Sequence, residues 1–305
     1  MTSQDSTAGP SAFDLKAFLR SRTDRINRAL DRLLPRPGTK PPTIHRAMRY
    51  SMFAGGKRLR PILCLAAAEA CNGSIQAALP LACAVECIHT YSLIHDDLPA
   101  MDNDDFRRGK PTSHKVFGEG IAILAGDALL THAFEIIALA KPTPRYRAQD
   151  YLRELARAAG SRFLIAGQVA DLENEGRSVS RRELQFVHQC KTSALLCAAV
   201  RLGGMSANCP PSHLQALTRF GQHVGLAFQI VDDILDVTQS SEKLGKTAGK
   251  DARAQKATYP ALLGLDASRR LAARLTAQAF AALALFRGRA AALEALAGHL
   301  LRRDR

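Results

Sequence analysis

The stretch CAVECIHTYSLIHDDLPAMDNDD, residues 83–105, joins an apolar segment to a cluster of five aspartates. The spacing of apolar residues from Ser74 to Leu98 predicts a buried helix that carries the first of these acids at its C-terminal end, where Pro99 helps to end it. The dipole of a helix disfavours anions at this end, and neighbouring carboxylates repel one another. The cluster is therefore either fully solvated or neutralised by cations.

The composition of the whole chain favours helices. The chain has 305 residues, 47% of them hydrophobic, with no tryptophan and with abundant Ala and Leu in long periodic runs. We expect an all-α protein with a disordered tail at residues 1–10 and a single domain over residues 11–305. Helices are predicted over 13–34, 61–71, 74–98, 118–140, 148–175, 180–203 and 212–239, with further helical segments in 258–304.

The composition also narrows the cellular setting and the class of partner. The N-terminus lacks the features of a secretory signal, and the apolar runs are shorter than the roughly 20 residues that span a bilayer, so we expect a cytoplasmic protein without stable membrane insertion. The net charge of +14 is spread widely, without interleaved aromatic residues, which favours a solvated basic surface over nucleic-acid binding. Cys83 and Cys87 lie one helical turn apart in an apolar pattern and are interpreted as core residues.

A second acidic cluster occurs in FQIVDDILDV, residues 228–237. Asp232 and Asp236 are four residues apart and share one face of a helix, with Gln229 one turn earlier. The flanking residues are apolar, which argues against a fully solvated cluster. Two acidic faces that offer only oxygen ligands suit a hard cation, and Mg²⁺ is the natural candidate.

Calcium is the rival ion. An EF-hand loop that begins at Asp102 requires glycine at its sixth position, where this chain has Arg107, so the spacing excludes it. Magnesium with few protein ligands usually shares its coordination sphere with phosphate oxygens. Gly55 and Gly56 allow a close approach of the backbone to an anion. The cations that suit phosphate are Lys57, Arg58, Arg60, Arg107, Arg108, Lys191, Lys246 and Lys250.

Taken in order, these motifs resemble those of a known family, the short-chain trans-isoprenyl diphosphate synthases, and within it the bacterial farnesyl type. The resemblance covers roughly residues 40–265. It is carried by GGKRLRP, ECIHTYSLIHDDLPAMDNDDFRRGKPTSHK, LAGDALL, CKTSALL, FQIVDDILD and LGKTAGKD. The family implies an isoprenoid synthase bundle of helices around a central cavity, with the two acidic motifs facing each other across its mouth.

The resemblance also implies roles for individual residues, including about three Mg²⁺ ions in each active site. It assigns the metal ions to Asp96, Asp97, Asp102, Asp232, Asp233 and Asp236. It assigns the diphosphate of an allylic substrate to Arg107, Lys191, Gln229 and Lys246. It assigns the diphosphate of isopentenyl diphosphate to Lys57, Arg60, His89 and Arg108.

The implied chemistry is electrostatic. Metal ions and cationic side chains stabilise the departing diphosphate, so the allylic carbon–oxygen bond ionises. The double bond of isopentenyl diphosphate then attacks the allylic cation, and the released diphosphate takes up the proton that is lost. Thr192, Gln229 and main-chain carbonyls shield the cation by their dipoles, while an apolar cavity excludes water.

The length of the product is expected to depend on Tyr91. This residue precedes Asp96 by five positions, which places it roughly 7.5 Å deeper along the same helix. A bulky side chain there blocks a growing tail, and Tyr91 followed by Ser92 resembles the farnesyl type, which makes a C15 product from dimethylallyl and geranyl diphosphates. Geranylgeranyl diphosphate synthases share the spacing between Asp97 and Asp102, so a C20 product is the alternative.

Two functions outside this chemistry compete with it. A terpene cyclase is disfavoured because the second motif is DDxxD and because GGKRLRP would have no isopentenyl substrate to bind. A non-catalytic basic helical binding protein is the alternative from a different class. The family implies a homodimer, and apolar faces on the Ala-Leu-rich helices suit one.

Overall fold

The structure, a computed structural model, describes residues 13–238 and 257–301. It confirms the all-α prediction. The helices are α1 (Leu15–Leu33), α2 (Pro42–Met52), α3 (Leu59–Ala70), α4 (Ile75–Asp96), α5 (Ser113–Phe117), α6 (Glu119–Ala138), α7 (Ala148–Ala159), α8 (Leu164–Glu173), α9 (Arg181–His188), α10 (Ala194–Ser206), α11 (Pro211–Thr238), α12 (Tyr259–Leu263), α13 (Leu265–Leu283) and α14 (Ala291–Leu301). The predicted tail at 1–10 lies outside the described residues.

Several elements differ from the prediction. The helix predicted over 148–175 is two helices, because Gly160, a poor helix former, adopts an extended backbone between α7 and α8. The segment predicted over 180–203 contains a π-helical turn, Gln189–Ser193, between α9 and α10. A short antiparallel hairpin of β1 (Phe106–Arg107) and β2 (Lys110–Pro111) follows the first acidic motif.

Helix α4 lies in the interior. Ser74 caps its N-terminus by accepting a hydrogen bond from the backbone N–H of Gln76 at 3.1 Å, which satisfies one of the unpaired donors there. Its apolar side chains are buried on most sides, so the helix has no wide solvent face. The burial carries through to the C-terminal end, where Asp96 and Asp97 are 8% and 4% exposed. The predicted acidic helix end is therefore placed inside the protein.

Glycines allow close packing between α3, α10 and α11. A Cβ atom on Gly203 of α10 would lie 2.0 Å from the carbonyl oxygen of Cys64 on α3, so only glycine fits this crossing. A Cβ atom on Gly221 of α11 would likewise lie 2.7 Å from the Cα of Cys197 on α10. These two contacts bring α3, α10 and α11 to backbone distance, which leaves little freedom for the π-helical turn at the start of α10.

Two helices have the length and apolar composition of a membrane span, judged by those two properties alone. This differs from the expectation that the apolar runs are too short. The apolar window of α4 is 72% buried inside the protein, which identifies it as a core helix, whereas that of α6 is 39% buried. On α6, Ile123 and Leu124 are 44% and 55% exposed. Helix α6 therefore presents an apolar surface.

The cysteines agree with the interpretation from the sequence. All seven are free thiols. Cys83 and Cys87 are fully buried on α4 within the main hydrophobic core, as predicted. Burial raises the pKa of both thiols, that of Cys83 to about 12.

Candidate active site

A cavity of about 200 Å³ lies between the first and second acidic motifs. Asp102 of the first motif and Asp232 and Asp233 of the second all line it. Lys191 from the π-helical turn and Gln229 from α11 line it as well. The structure thus brings residues of both motifs, which are about 130 positions apart in the chain, to the wall of one cavity.

The first acidic motif holds several carboxylates close together in a largely buried position. Burial, followed in size by the neighbouring charges, sets the pKa of Asp96 at about 6, above its usual range; Lys191 lowers this pKa, and Asp102 raises it. Asp97 accepts a hydrogen bond from Nε of Arg107 at 2.7 Å, and burial raises its pKa nonetheless. Arg107, predicted to bind an allylic diphosphate, is therefore paired with a predicted metal ligand.

The second motif has a more structural character than the sequence indicated. Asp233 is 6% exposed, and its Oδ2 accepts a hydrogen bond from the backbone N–H of Tyr259 at 2.9 Å. The same oxygen lies 3.3 Å from Nε2 of His188. Asp236 is also 6% exposed, whereas Asp232 faces the cavity. The three acids of this motif thus occupy different environments.

The π-helical turn contains Lys191, which lines the cavity, and Thr192, which does not belong to the lining. A Cβ atom on Gly167 of α8 would lie 2.3 Å from the backbone nitrogen of Lys191, so α8 packs directly against this turn. The Nζ atom of Lys191 lies 2.7 Å from Oδ2 of Asp171 on α8. Thr192 is 8% exposed. The predicted phosphate-binding lysine is therefore held by a carboxylate that no sequence motif indicated.

The basic residues expected at the isopentenyl side lie around the start of α3. Gly56 has a φ of +116°, and a Cβ atom there would lie 2.4 Å from the guanidinium of Arg108, which donates to the carbonyl of Gly55. The glycine pair therefore admits an arginine side chain. Nη1 of Arg60 lies 3.4 Å from Nε2 of His89.

The basic residues around the start of α3 bring several positive charges close together. Burial lowers the pKa of Arg60 to about 10. Burial, with Arg60 and Arg108 nearby, holds the pKa of His89 well below its usual range, so the imidazole is neutral. Lys57, by contrast, is exposed. An anion between these residues would relieve their mutual repulsion.

Arg58 does not join them. Its backbone is left-handed, with φ of +49°, and its side chain turns inward to 4% exposure. The guanidinium lies 2.8 Å from Oε1 of Glu86 and donates to the carbonyl of Met52 at 2.6 Å and to Asn27 Oδ1 at 2.9 Å. Of the cations in GGKRLRP, Arg58 is thus a structural residue.

Comparison with known proteins identifies the architecture. Residues 41–284 match the family model for polyprenyl synthetase. The chain is 52% identical over 298 residues to a chloroplastic geranylgeranyl pyrophosphate synthase of Catharanthus roseus, a match that covers 96% of this chain and 83% of the relative. The chain belongs to the polyprenyl synthetase family. The resemblance drawn from the motifs is confirmed.

Solved structures of polyprenyl synthetases share the fold. An FPP/GFPP synthase from Zymomonas mobilis superposes with a TM-score of 0.83 at 35% identity, covering 95% of this chain and 99% of that one. A geranylgeranyl pyrophosphate synthetase from Pyrococcus horikoshii superposes with a TM-score of 0.86 at 32% identity, covering 95% and 99% of the two chains. The predicted isoprenoid synthase bundle is therefore confirmed.

The acidic residues fit Mg²⁺ shared with a diphosphate. Within residues 13–238 and 257–301, no group of three or more His, Cys, Asp or Glu side chains is placed to hold a metal by itself. The donors are nevertheless all carboxylate oxygens, three of them face one cavity, and the buried Asp96 resists ionisation without further positive charge. A hard cation that completes its shell with phosphate and water oxygens matches this arrangement. The residues that would hold it are Asp96, Asp97, Asp102, Asp232, Asp233 and Asp236.

The residues expected to limit product length lie on α4. Tyr91 is 6% exposed, and its ring packs edge-on against His95, with centroids 5.8 Å apart. Burial, followed in size by the negative charge of Asp96, raises the pKa of Tyr91 to about 12. Tyr91 does not belong to the lining of the 200 Å³ cavity. The Ser92 hydroxyl donates to the carbonyl of His89 at 2.9 Å.

Three residues at the site were not predicted from the sequence. Asp171, His188 and Tyr259 come from α8, α9 and α12, which flank the two acidic motifs only after folding. No motif in the sequence indicated any of the three. Lys246, assigned to the allylic diphosphate, and Lys250 lie outside the described residues.

The buried Arg58–Glu86 pair makes a stability prediction. Replacing Glu86 by Ala leaves the Arg58 charge buried without its counter-ion, which is expected to cost about 3–5 kcal/mol of unfolding free energy. Chemical denaturation measures this loss. The matched control is Glu69→Ala, which removes the partner of Arg22. The two side chains of that pair are 16% and 31% exposed, so water partly replaces the lost contact and the expected cost is smaller. Equal losses would contradict the structural role of Arg58.

Proposed function

We propose that this polyprenyl synthetase is a Mg²⁺-dependent trans-prenyltransferase that joins isopentenyl diphosphate to allylic diphosphates, dimethylallyl and then geranyl. The observation that carries the proposal is that Asp102, Asp232 and Asp233 line one cavity together with Lys191 and Gln229. An all-helical bundle with two acidic motifs around one cavity suits a substrate that carries a diphosphate. The names of the relatives agree with this reaction class.

Different residues of the chain have different roles in the proposed reaction. Bound Mg²⁺ supplies Lewis-acid stabilisation of the diphosphate leaving group. Lys191 and Arg107 contact the same diphosphate as point charge and fork, while Thr192 and Gln229 direct dipoles at the allylic carbon. No side chain attacks the substrate. The isopentenyl double bond attacks the allylic cation, and the released diphosphate takes up the proton.

A second diphosphate is assigned to the basic residues at the start of α3. Burial, and after it the positive charge of neighbouring arginines, lowers the pKa of Arg60, His89 and Arg108. The diphosphate of isopentenyl diphosphate relieves the repulsion among these groups, and exposed Lys57 can turn to meet it. The chain thus offers separate recognition of the two diphosphates, one through metal and one through cationic side chains alone.

Farnesyl diphosphate is the product that we propose. Tyr91 lies on the same helix as Asp96 and is 6% exposed, which supports a role in blocking the growing tail. Geranylgeranyl diphosphate is the second candidate. It is supported by the relative from Catharanthus roseus, which is named for that product and is 52% identical over nearly the whole chain.

A homodimer in the cytoplasm is the proposed working form. Ile123 and Leu124 form an apolar surface on α6, and Val116 on the neighbouring helix α5 is also 46% exposed. A second copy of the chain is the occupant that we propose for this surface. Seven free thiols suit a reducing compartment.

The reaction itself is tested with the acidic motifs. Replacing Asp96 or Asp232 by Ala is expected to reduce kcat by a factor of about 10³ or more, because the leaving group loses part of its stabilisation at the moment of ionisation. Release of diphosphate from isopentenyl and dimethylallyl diphosphates measures the rate, with and without Mg²⁺. The melting temperature should stay near that of the wild type, because removing one acid relieves repulsion. Normal rates in Asp96→Ala would contradict the assignment.

The product is tested by chromatography of the reaction mixture. The wild type is expected to accumulate a C15 diphosphate, and Tyr91→Ala is expected to shift the main product to C20 or longer, because a shorter side chain opens space beneath the tail. Ser92→Ala, next to it, serves as the matched control, because its hydroxyl is engaged with the backbone. A C20 main product from the wild type would decide for geranylgeranyl diphosphate.

The dimer is tested by light scattering after gel filtration. Leu124→Glu is expected to convert a dimer to a monomer, because it places a charge at the centre of the apolar surface of α6. Leu285→Glu, at a residue 46% exposed in the turn Ala284–Phe286, serves as a control and should leave the dimer intact. A wild type that is monomeric at micromolar concentration would contradict the proposal.

A further inference from the structure

A chain of polar contacts links three helices behind the second acidic motif. Nε2 of Gln229 on α11 lies 3.4 Å from Nδ1 of His188 on α9. Nε2 of that imidazole lies 3.3 Å from Oδ2 of Asp233, which also accepts the backbone N–H of Tyr259 on α12 at 2.9 Å. The order of the chain is therefore Gln229, His188, Asp233 and Tyr259.

The donors and acceptors in this chain assign the tautomer of His188. The amide nitrogen of Gln229 can only donate, so Nδ1 of the imidazole accepts. The Nε2 atom then carries the proton and donates to the carboxylate of Asp233. With its nitrogen directed at His188, the Gln229 amide has its carbonyl oxygen on its other edge. One imidazole therefore sets the orientation of both side chains.

Burial makes this orientation specific. The side chains of His188 and Asp233 are 10% and 7% exposed, so water cannot readily replace the contacts between them. The imidazole also stacks on the ring of Tyr259, with centroids 5.6 Å apart and planes 20° apart. Both Gln229 and Asp233 line the cavity, as does His188 itself. The contacts therefore connect the cavity wall to the core behind it.

We propose that His188 is a positioning residue that orients the Gln229 amide and the Asp233 carboxylate for the allylic half of the reaction. Asp233 in turn anchors the backbone of Tyr259, which ties α12 to α11. The inference rests on the proposed function, because these contacts assist catalysis only if Gln229 and Asp233 act in that reaction. The contacts themselves do not depend on that function, so they can be tested separately.

A histidine that only fills the core would behave differently. Its replacement by an aromatic ring of similar size would preserve the stacking on Tyr259 and would leave the turnover unchanged. If His188 instead positions its neighbours, the same variant removes its two hydrogen bonds, and the turnover falls although the protein stays folded.

The experiment uses the full chain with the variant His188→Phe. We expect kcat to fall about 10–100-fold, the range seen when a residue that orients a ligand is removed, while KM for isopentenyl diphosphate changes less than about twofold. The unchanged KM follows because Arg60, His89 and Arg108 belong to other elements. His213→Phe, a half-buried histidine that contacts Phe286, is the matched control and should keep wild-type kinetics.

Hydrogen exchange, read by mass spectrometry of the peptide that contains Tyr259, tests the contacts without any assay of activity. Asp233→Ala should speed exchange of the Tyr259 amide. Asp233→Asn, which keeps an acceptor oxygen, should not, and it should retain more activity than Asp233→Ala. If the wild-type protein lacks prenyltransferase activity but the two Asp233 variants show this exchange pattern, the proposed function is refuted and the contacts are confirmed.

Three outcomes overturn the inference: wild-type kcat in His188→Phe, a parallel rise in KM for isopentenyl diphosphate, or unchanged exchange at Tyr259 in Asp233→Ala. If His188→Phe fails to fold, the comparison of the two Asp233 variants decides, because asparagine preserves the size of the side chain.

Discussion

The structure depends on holding carboxylates at a buried helix end whose dipole repels them. Asp96 and Asp97 close α4 where the helix is least favourable to anions, and burial raises the pKa of both acids. A solvated cluster would avoid this cost, but the apolar length of α4 brings its end into the protein. The carboxylates must therefore be matched by positive charge, and the arrangement of the site follows from how that charge is supplied.

Two cations near these carboxylates are already paired, one with Asp97 itself and one with a further acid. Arg107 donates to Asp97, and Lys191 lies 2.7 Å from Asp171. Such pairs keep the two cations oriented. In the proposed complex a diphosphate would take over both cations, and bound Mg²⁺ would compensate the carboxylates that they leave.

The sequence predicted the long elements well because their signal is local. The apolar period places α4 and α11 within two residues of their observed bounds. The π-helical turn, by contrast, packs against a distant part of the chain, because Gly167 of α8 lies directly against Lys191. No local pattern reports such contacts.

The site shows the same division. The two acidic motifs were predictable because a run of aspartates inside an apolar helix is costly unless cations neutralise it. Residue type alone did not separate Arg58 from Arg60 in GGKRLRP, and only the family resemblance left Arg58 without a substrate. The physical reason is the left-handed backbone at Arg58, which turns that side chain toward Glu86. His188 was not predicted because a single histidine carries no pattern; its significance arises from Asp233 and Gln229, more than 40 positions later. Residues that act through others are visible only once their partners are placed.

In the proposed function, helix α4 links the ionisation of the substrate and the control of product length in one rigid element. Its C-terminal end carries Asp96 and Asp97, which would hold metal ions on the diphosphate, and Tyr91 lies a little more than one turn before them. Because an α-helix does not stretch, the distance from leaving group to ring is fixed by backbone geometry. The space for the isoprenoid tail is then fixed relative to the carbon at which the new bond forms. In the proposed function, a change of side chain at position 91 alters the space for the tail and leaves the carboxylates of the site unchanged, so product length can change separately from the catalytic chemistry.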